Sequence, residues 1–164
     1  MRVTGAVHHL GDDVDTDAIL PGRYLTLRDP AALAAHCLEA LDPGFRARVR
    51  LGDIIFAGRN FGNGSSREHA VVALRALGIR AIVASSVARI FFRNAINLGL
   101  VVLVAPDAAL APGEPASIEG SAITQAGRTW HAAPLGAEVA AIIAAGSLVR
   151  KVRAELARKE PALG

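Results

Sequence analysis

One stretch constrains the fold more than any other. Residues 53–57 (DIIFA), entered through Gly52, read as a short buried strand, and a glycine-rich loop follows over residues 58–64 (GRNFGNG). A helix over residues 66–77 comes next, with Ala70, Val71, Ala73, Leu74 and Leu77 on its apolar side and Gly78 as its stop. Residues 79–84 form a second apolar run. A helix capped by Ser85 or Ser86 then runs to Leu98, with Gly99 as its stop, and residues 100–104 give a third run. Strand, helix, strand, helix, strand with connections this short predicts a parallel βαβαβ unit, hence an α/β fold. Ligands in such sheets gather at the carboxyl ends of the strands. The pairs Ser65-Ser66 and Ser85-Ser86 both fall at such ends.

The flanks predict additional layers. Residues 1–10 suggest a strand, residues 30–41 a helix, and residues 106–130 a region of short strands and turns punctuated by Pro and Gly. Residues 137–145 suggest a further helix, and residues 147–160 (SLVRKVRAELARKE) a short basic amphipathic one. With 164 residues, 52% of them apolar, the chain is expected to be a single domain, 1–164, with this basic helical tail. Its apolar runs fall short of a membrane span, and MRVTGAVHHLGDD has no signal-peptide core, so a cytoplasmic protein without membrane contact is expected. A single cysteine, Cys37, rules out a disulfide framework and any iron–sulfur or zinc site held by this chain's thiolates alone. The net charge of +3 and 4% aromatic content argue against nucleic acid as a partner.

Chemistry concentrates in three segments. In Gly62-Asn63-Gly64-Ser65-Ser66-Arg67-Glu68-His69, a tight turn aims backbone N–H groups into one concavity at a helix start, beside two hydroxyls and a guanidinium. That pattern suits a carboxylate or phosphate, and it suits equally a Ser65–Glu68 capping box that needs no ligand. It is not a Walker loop, because no Gly-Lys-Ser/Thr follows. Residues 12–17 (DDVDTD) look like the start of an EF-hand loop, but Ala18 stands at the glycine position and Tyr24 at the bidentate glutamate position. An Asp-rich turn remains, or one carboxylate held to orient a partner's imidazole. Arg23-Tyr24-Leu25-Thr26-Leu27-Arg28 follows Pro21-Gly22 and reads either as a pocket-lining loop or as a surface turn.

Three blocks resemble one family: residues 11–25 (GDDVDTDAILPGRYL), 60–70 (NFGNGSSREHA) and 88–99 (ARIFFRNAINLG). It is the small subunit of the 3-isopropylmalate dehydratase and homoaconitase group, equivalent to the swivelling domain of aconitase. The resemblance implies a swivelling β/β/α three-layer domain and a cluster-bearing large subunit as partner, in a heterodimer or heterotetramer. It implies a [4Fe–4S] cluster bound by that large subunit and not by this chain. By the same resemblance Ser65 is the base that takes a carbon-bound proton, Arg67 binds a substrate carboxylate with Ser66 beside it, and Asp17 pairs with a histidine of the large subunit.

The activity implied is that of a hydro-lyase subunit that isomerises a small hydroxy acid by dehydration and rehydration. The leading expectation is conversion of 2-isopropylmalate to 3-isopropylmalate, in leucine biosynthesis. Related readings are small subunits of homoaconitase, of citraconate/citramalate dehydratase or of 2,3-dimethylmalate dehydratase. A stand-alone carboxylate-binding regulatory module is the alternative of another class. Two positions depart from the pattern. Asn63 stands where the group often has Cys, and Thr26 follows Tyr24-Leu25 where homoaconitase-like members have Arg. A buried, unpaired carboxylate is costly, so Thr26 favours a neutral substituent on the substrate, with Arg23 and Arg28 near enough in sequence to offset that preference.

Overall fold

The computed structural model describes residues 2–159. Strand β1 (Arg2–His9) leads into a single-turn helix α1 (Thr16–Ile19), and a turn of 3₁₀ helix (Gly22–Tyr24) precedes α2 (Pro30–Ala35) and α3 (Phe45–Arg48). Then come β2 (Ile54–Ala57), α4 (Glu68–Leu77), β3 (Ala81–Ala84), α5 (Arg89–Asn97) and β4 (Val101–Val104). A β-meander of β5 (Pro115–Glu119), β6 (Ala122–Gln125) and β7 (Arg128–His131) follows, and α6 (Ala137–Ala145) and α7 (Leu148–Lys159) close the order. The basic tail thus forms a helix, and Glu160 lies outside the described residues.

The strands run in the order β4-β3-β2-β1-β5-β6-β7. The parallel unit expected from residues 53–104 is present: Ile55 pairs with Ile82, and Ile82 with Val102. β1 changes partner along its length. Its first half pairs antiparallel with β5, Val3 opposite Ile118, and its second half pairs parallel with β2, Val7 opposite Ile54.

Alternation along the parallel strands feeds two cores. Ile55, Ala57, Ile82, Ala84 and Val102 pack under α2 and α4 with Leu33, Val71 and Leu74. Ile54, Ala81, Val83, Val101 and Leu103 face the other way, onto Ala116, Ile118 and Ile123 of the meander and Ile142 and Ile143 of α6. Strands buried on both faces read as continuous apolar runs because each side chain has a core to enter. Each fully buried Ile, Leu or Val there contributes about 1.5–3 kcal/mol relative to exposure. Helices, parallel sheet and meander form the three layers implied by the resemblance.

Several local expectations are corrected. The helix expected over residues 30–41 ends at Ala35, because His36 stacks flat on Tyr24 at 3.7 Å and Leu38 adopts φ +60°, its N–H donating to the Ile19 carbonyl at 2.8 Å. Neither Ser85 nor Ser86 caps α5. The parallel pairing continues beyond β2 and β3 into a bridge between Phe61 and Val87, so the helix starts only at Arg89, with Ala88 at the N-cap. The Ser86 hydroxyl instead accepts from the Asn60 N–H at 2.8 Å. Among the described residues no helix is long and apolar enough to cross a membrane.

Candidate active site

The glycine-rich loop after β2 is fastened to the Asp-rich turn after β1 almost residue by residue. Asp12 accepts from the Arg59 N–H at 2.7 Å and from its guanidinium at 2.9 Å. Asp13 accepts from the Asn60 side chain at 2.9 Å, and its own N–H donates to the Arg59 carbonyl. The Gly62 N–H donates to the Val14 carbonyl at 2.7 Å, and Asp15 pairs with Asn63 in a parallel bridge. Asp15 also caps α1 by accepting from the Ala18 N–H at 2.7 Å. Asp12, Asp13 and Asp15 are therefore fasteners, which is the Asp-rich-turn reading.

Asp17 does something else. Its carboxylate accepts from the Arg67 guanidinium and from the Gly22 N–H at 3.1 Å, while the same guanidinium also donates to the Leu20 carbonyl at 3.2 Å. Arg67 is mostly covered, with 18% of its side chain exposed, whereas Asp17 is 65% exposed. The guanidinium beside Asp17 holds its carboxyl below the usual carboxylate range, with the Gly22 N–H adding to the effect. A depressed carboxyl makes its contribution above the ordinary pKa and loses it as pH falls through the lowered one. An NMR titration of the Asp17 carboxyl should give a midpoint below 3.8, returning to the ordinary range in Arg67→Ala. Identical midpoints in the two proteins would dismiss the pairing.

The capping box predicted at Ser65 is absent. The N-cap of α4 is Arg67, with no side chain closing the helix end, and Ser65 and Ser66 stay in the loop. The competing fastener is Thr16, whose hydroxyl donates to the Ser65 carbonyl at 3.1 Å and so holds Ser65 back from the helix. Both serines are exposed, and Asn94 of α5 reaches the Ser66 hydroxyl at 3.5 Å. Two openings flank the loop. One of about 300 Å³ is lined by Ser66, Ile90, Arg93, Asn94 and Asn97. The other, of about 280 Å³, lies between Leu27, Arg28, Leu33, Glu68, His69 and Val72.

The segment after Pro21 is organised around a residue the sequence did not single out. Glu39 accepts from the Tyr24 hydroxyl at 2.6 Å and from Arg23 at 2.9 Å, and its other oxygen meets His36 Nδ1 at 2.8 Å. Arg23 lies over the Tyr24 ring, 4.7 Å from its centre. Arg23 and Tyr24 are thus engaged with one another and with Glu39, while Thr26 is exposed. The structure brings Asp17 to Arg67 and Thr16 to Ser65; it holds Arg23 and Tyr24 in a separate network. A His three residues before Glu at a helix end was the available signal for that network, as i,i+3 residues are neighbours.

Comparison with known proteins identifies the family and the fold. Residues 38–108 match the family model described as the Aconitase C-terminal domain. The 3-isopropylmalate dehydratase small subunit of Moorella thermoacetica is 48% identical over 164 residues, covering 93% of this chain and 98% of that protein. The methanogen homoaconitase small subunit of Methanocaldococcus jannaschii is 46% identical over 158 residues, covering 93% and 92%. A crystal structure of 3-isopropylmalate dehydratase from the same organism superposes with a TM-score of 0.92 at 42% identity, covering 97% of this chain and 98% of that one. The chain belongs to the family of 3-isopropylmalate dehydratase small subunits, with the aconitase C-terminal domain at its centre.

Proposed function

We propose that this chain is the substrate-closing subunit of a hydro-lyase that acts on isopropylmalate, and that it works only when joined to a large subunit. The observation that carries this reading is the loop of residues 64–67. It presents Ser65 and Ser66 exposed, next in sequence to Arg67, at the uncapped N-terminus of a ten-residue helix. An uncapped helix start carries about half a positive charge, which favours a carboxylate close by. Exposure of Ser65 on the lone chain supports a site completed from outside, since a serine base must be shielded from water to act.

Among the described residues no three His, Cys, Asp or Glu side chains gather as a ligand set, and burial pushes the Cys37 thiol up to about 12. These residues do not fit an iron–sulfur cluster, and the proposal leaves it on the large subunit, where its chemistry is that of a Lewis acid toward the leaving hydroxyl. This chain's share is proton transfer and positioning. Arg67 binds a substrate carboxylate, with Ser66 beside it. Ser65 Oγ, held as an alkoxide by the guanidinium and the helix N–H groups, takes the proton from the carbon next to that carboxylate. Hydroxide leaves the neighbouring carbon as that proton is taken, giving an alkene. Hydroxide then adds to the carbon that lost the proton while Ser65 delivers a proton to the neighbouring carbon, and the hydroxy acid is isomerised. Asp17 is released from Arg67 when the large subunit's histidine takes its carboxylate. Arg23 and Tyr24 hold the loop that carries Thr26 toward the substrate's side group. The whole chain, residues 1–164, acts as one domain in this scheme.

The test is anaerobic reconstitution with the cluster-bearing large subunit, comparing kcat/KM for isopropylmalate, citramalate and homoisocitrate. Preference for isopropylmalate is expected, and no turnover on any of them with a loaded cluster would overturn the reading in favour of a regulatory carboxylate-binding module. Because Arg23 is tied to Glu39, it does not replace the missing arginine at position 26. Thr26→Arg should therefore move the homoisocitrate-to-isopropylmalate ratio toward homoisocitrate by about tenfold to a hundredfold, the span of one charged contact. An unchanged ratio would remove the loop from the specificity argument.

A further inference from the structure

Thr16 lies under the catalytic loop and not in it. Its residue is 3% exposed, so its hydroxyl meets no substrate. Two of its groups nevertheless grip the loop. The backbone N–H donates to the Asn63 carbonyl at 2.9 Å, and Oγ1 donates to the Ser65 carbonyl at 3.1 Å. Gly64 is caught between those two bonds. It adopts φ +94°, and a Cβ there would come within 3.3 Å of Thr16 Oγ1. Fixing the carbonyls on both sides of a glycine removes the freedom that glycine otherwise gives a loop. The next residue along the same helical turn, Asp17, grips Arg67. One turn of α1 thereby holds residues 65 and 67 through residues 16 and 17.

Resting on the reading of Ser65 as the base, we propose that Thr16 is the positioning residue of the proton transfer. Its hydroxyl orients the peptide following Ser65, and with it the direction in which Ser65 Oγ points. The buried position explains why a hydroxyl is used there: the Ser65 carbonyl is satisfied from below, leaving the upper face of the loop for substrate. Arg67 is held separately, its guanidinium donating to the Leu20 carbonyl at 3.2 Å, so loss of the Thr16 hydroxyl moves the base without moving the carboxylate receptor. The kinetic signature is a loss in kcat with substrate binding kept.

The test uses the reconstituted complex and three variants of this chain: Thr16→Val, Thr16→Ser and Ser65→Ala. Thr16→Val matches the shape and removes the donor. Its kcat should fall about tenfold to a hundredfold, the effect of a displacement of order 1 Å at a reacting group. Its KM and the inhibition constant of isopropylsuccinate, which has no hydroxyl to lose, should stay within about twofold. Thr16→Ser restores the donor and should recover kcat to within about threefold of the parent. Parent-like kcat in Thr16→Val, alongside a dead Ser65→Ala, overturns the inference alone. So does a Thr16→Val defect that Thr16→Ser fails to repair, or one in which isopropylsuccinate binding weakens in parallel. Full turnover in Ser65→Ala overturns the reading of the base and this inference with it.

Discussion

Ser65→Ala should lower turnover of the assembled enzyme by about three orders of magnitude, the middle of the range that a positioned acid–base group supplies. Assembly and substrate binding should survive. Ser65 is exposed, and its recorded hydrogen bond is made by its carbonyl, which alanine keeps. Arg67 retains its contact with the Leu20 carbonyl in the variant, so the carboxylate receptor stands where it stood. The defect therefore belongs in kcat with KM little changed, the pattern of an interaction made only in the transition state. Single-turnover measurements on the reconstituted complex check it. Near-normal kcat would assign the proton transfer to another group.

The second large effect is on stability. Gly62 adopts φ +75°, and a Cβ there would lie 2.3 Å from Cγ and 2.6 Å from Cβ of Phe91. Phe91 is 2% exposed and packs edge-on against Phe61 at 5.3 Å, so it has nowhere to go. The left-handed backbone costs a side chain about 1–2 kcal/mol, and overpacking of a filled core about 1–3 kcal/mol more. Gly62→Ala should thus be destabilised by about 2–5 kcal/mol, a large part of a domain's net stability. For a chain of this size that is roughly 10 °C in Tm. Two controls separate the causes. Gly120 shares the positive φ, +61°, but has open space around its Cβ position, and Gly11 has open space with no such φ. Unfolding in urea should rank Gly11→Ala near the parent, Gly120→Ala about 1 kcal/mol below, and Gly62→Ala lowest. Equal losses at Gly62 and Gly120 would discard the contact with Phe91.

The parallel unit was legible because its signals were mutually consistent: apolar runs of strand length, a glycine at each helix end and short connections. The order of the sheet was not. Nothing local in residues 2–9 announces that Val3 and Val7 face different partner strands. Nor did the sequence distinguish a capping serine from one held back by another segment. Ser65-x-x-Glu68 is a sound local pattern, and it lost to a bond from Thr16, 49 residues away. The same long-range pairing took Ser86 away from α5 and gave it to Asn60. At the site the residue types were readable, and the resemblance supplied the roles now proposed for Ser65, Arg67 and Asp17. What holds Ser65 was hidden, because Thr16 acts through a contact only the folded chain makes, whereas the network on Arg23 and Tyr24 had the His36–Glu39 spacing as its one local signal.

The two networks around the site have no fastening residue in common. Thr16 and Asp17 secure the loop of Ser65 and Arg67, whereas Glu39 and His36 secure Arg23 and Tyr24 ahead of position 26. A change at position 26 should therefore leave in place the hydrogen bonds that hold Ser65 and Arg67. On the proposed roles, a change of acid needs only steps at position 26, taken while the loop of Ser65 and Arg67 stays as it is. An inventor of new dehydratases, natural or human, has one part to exchange and another to leave alone.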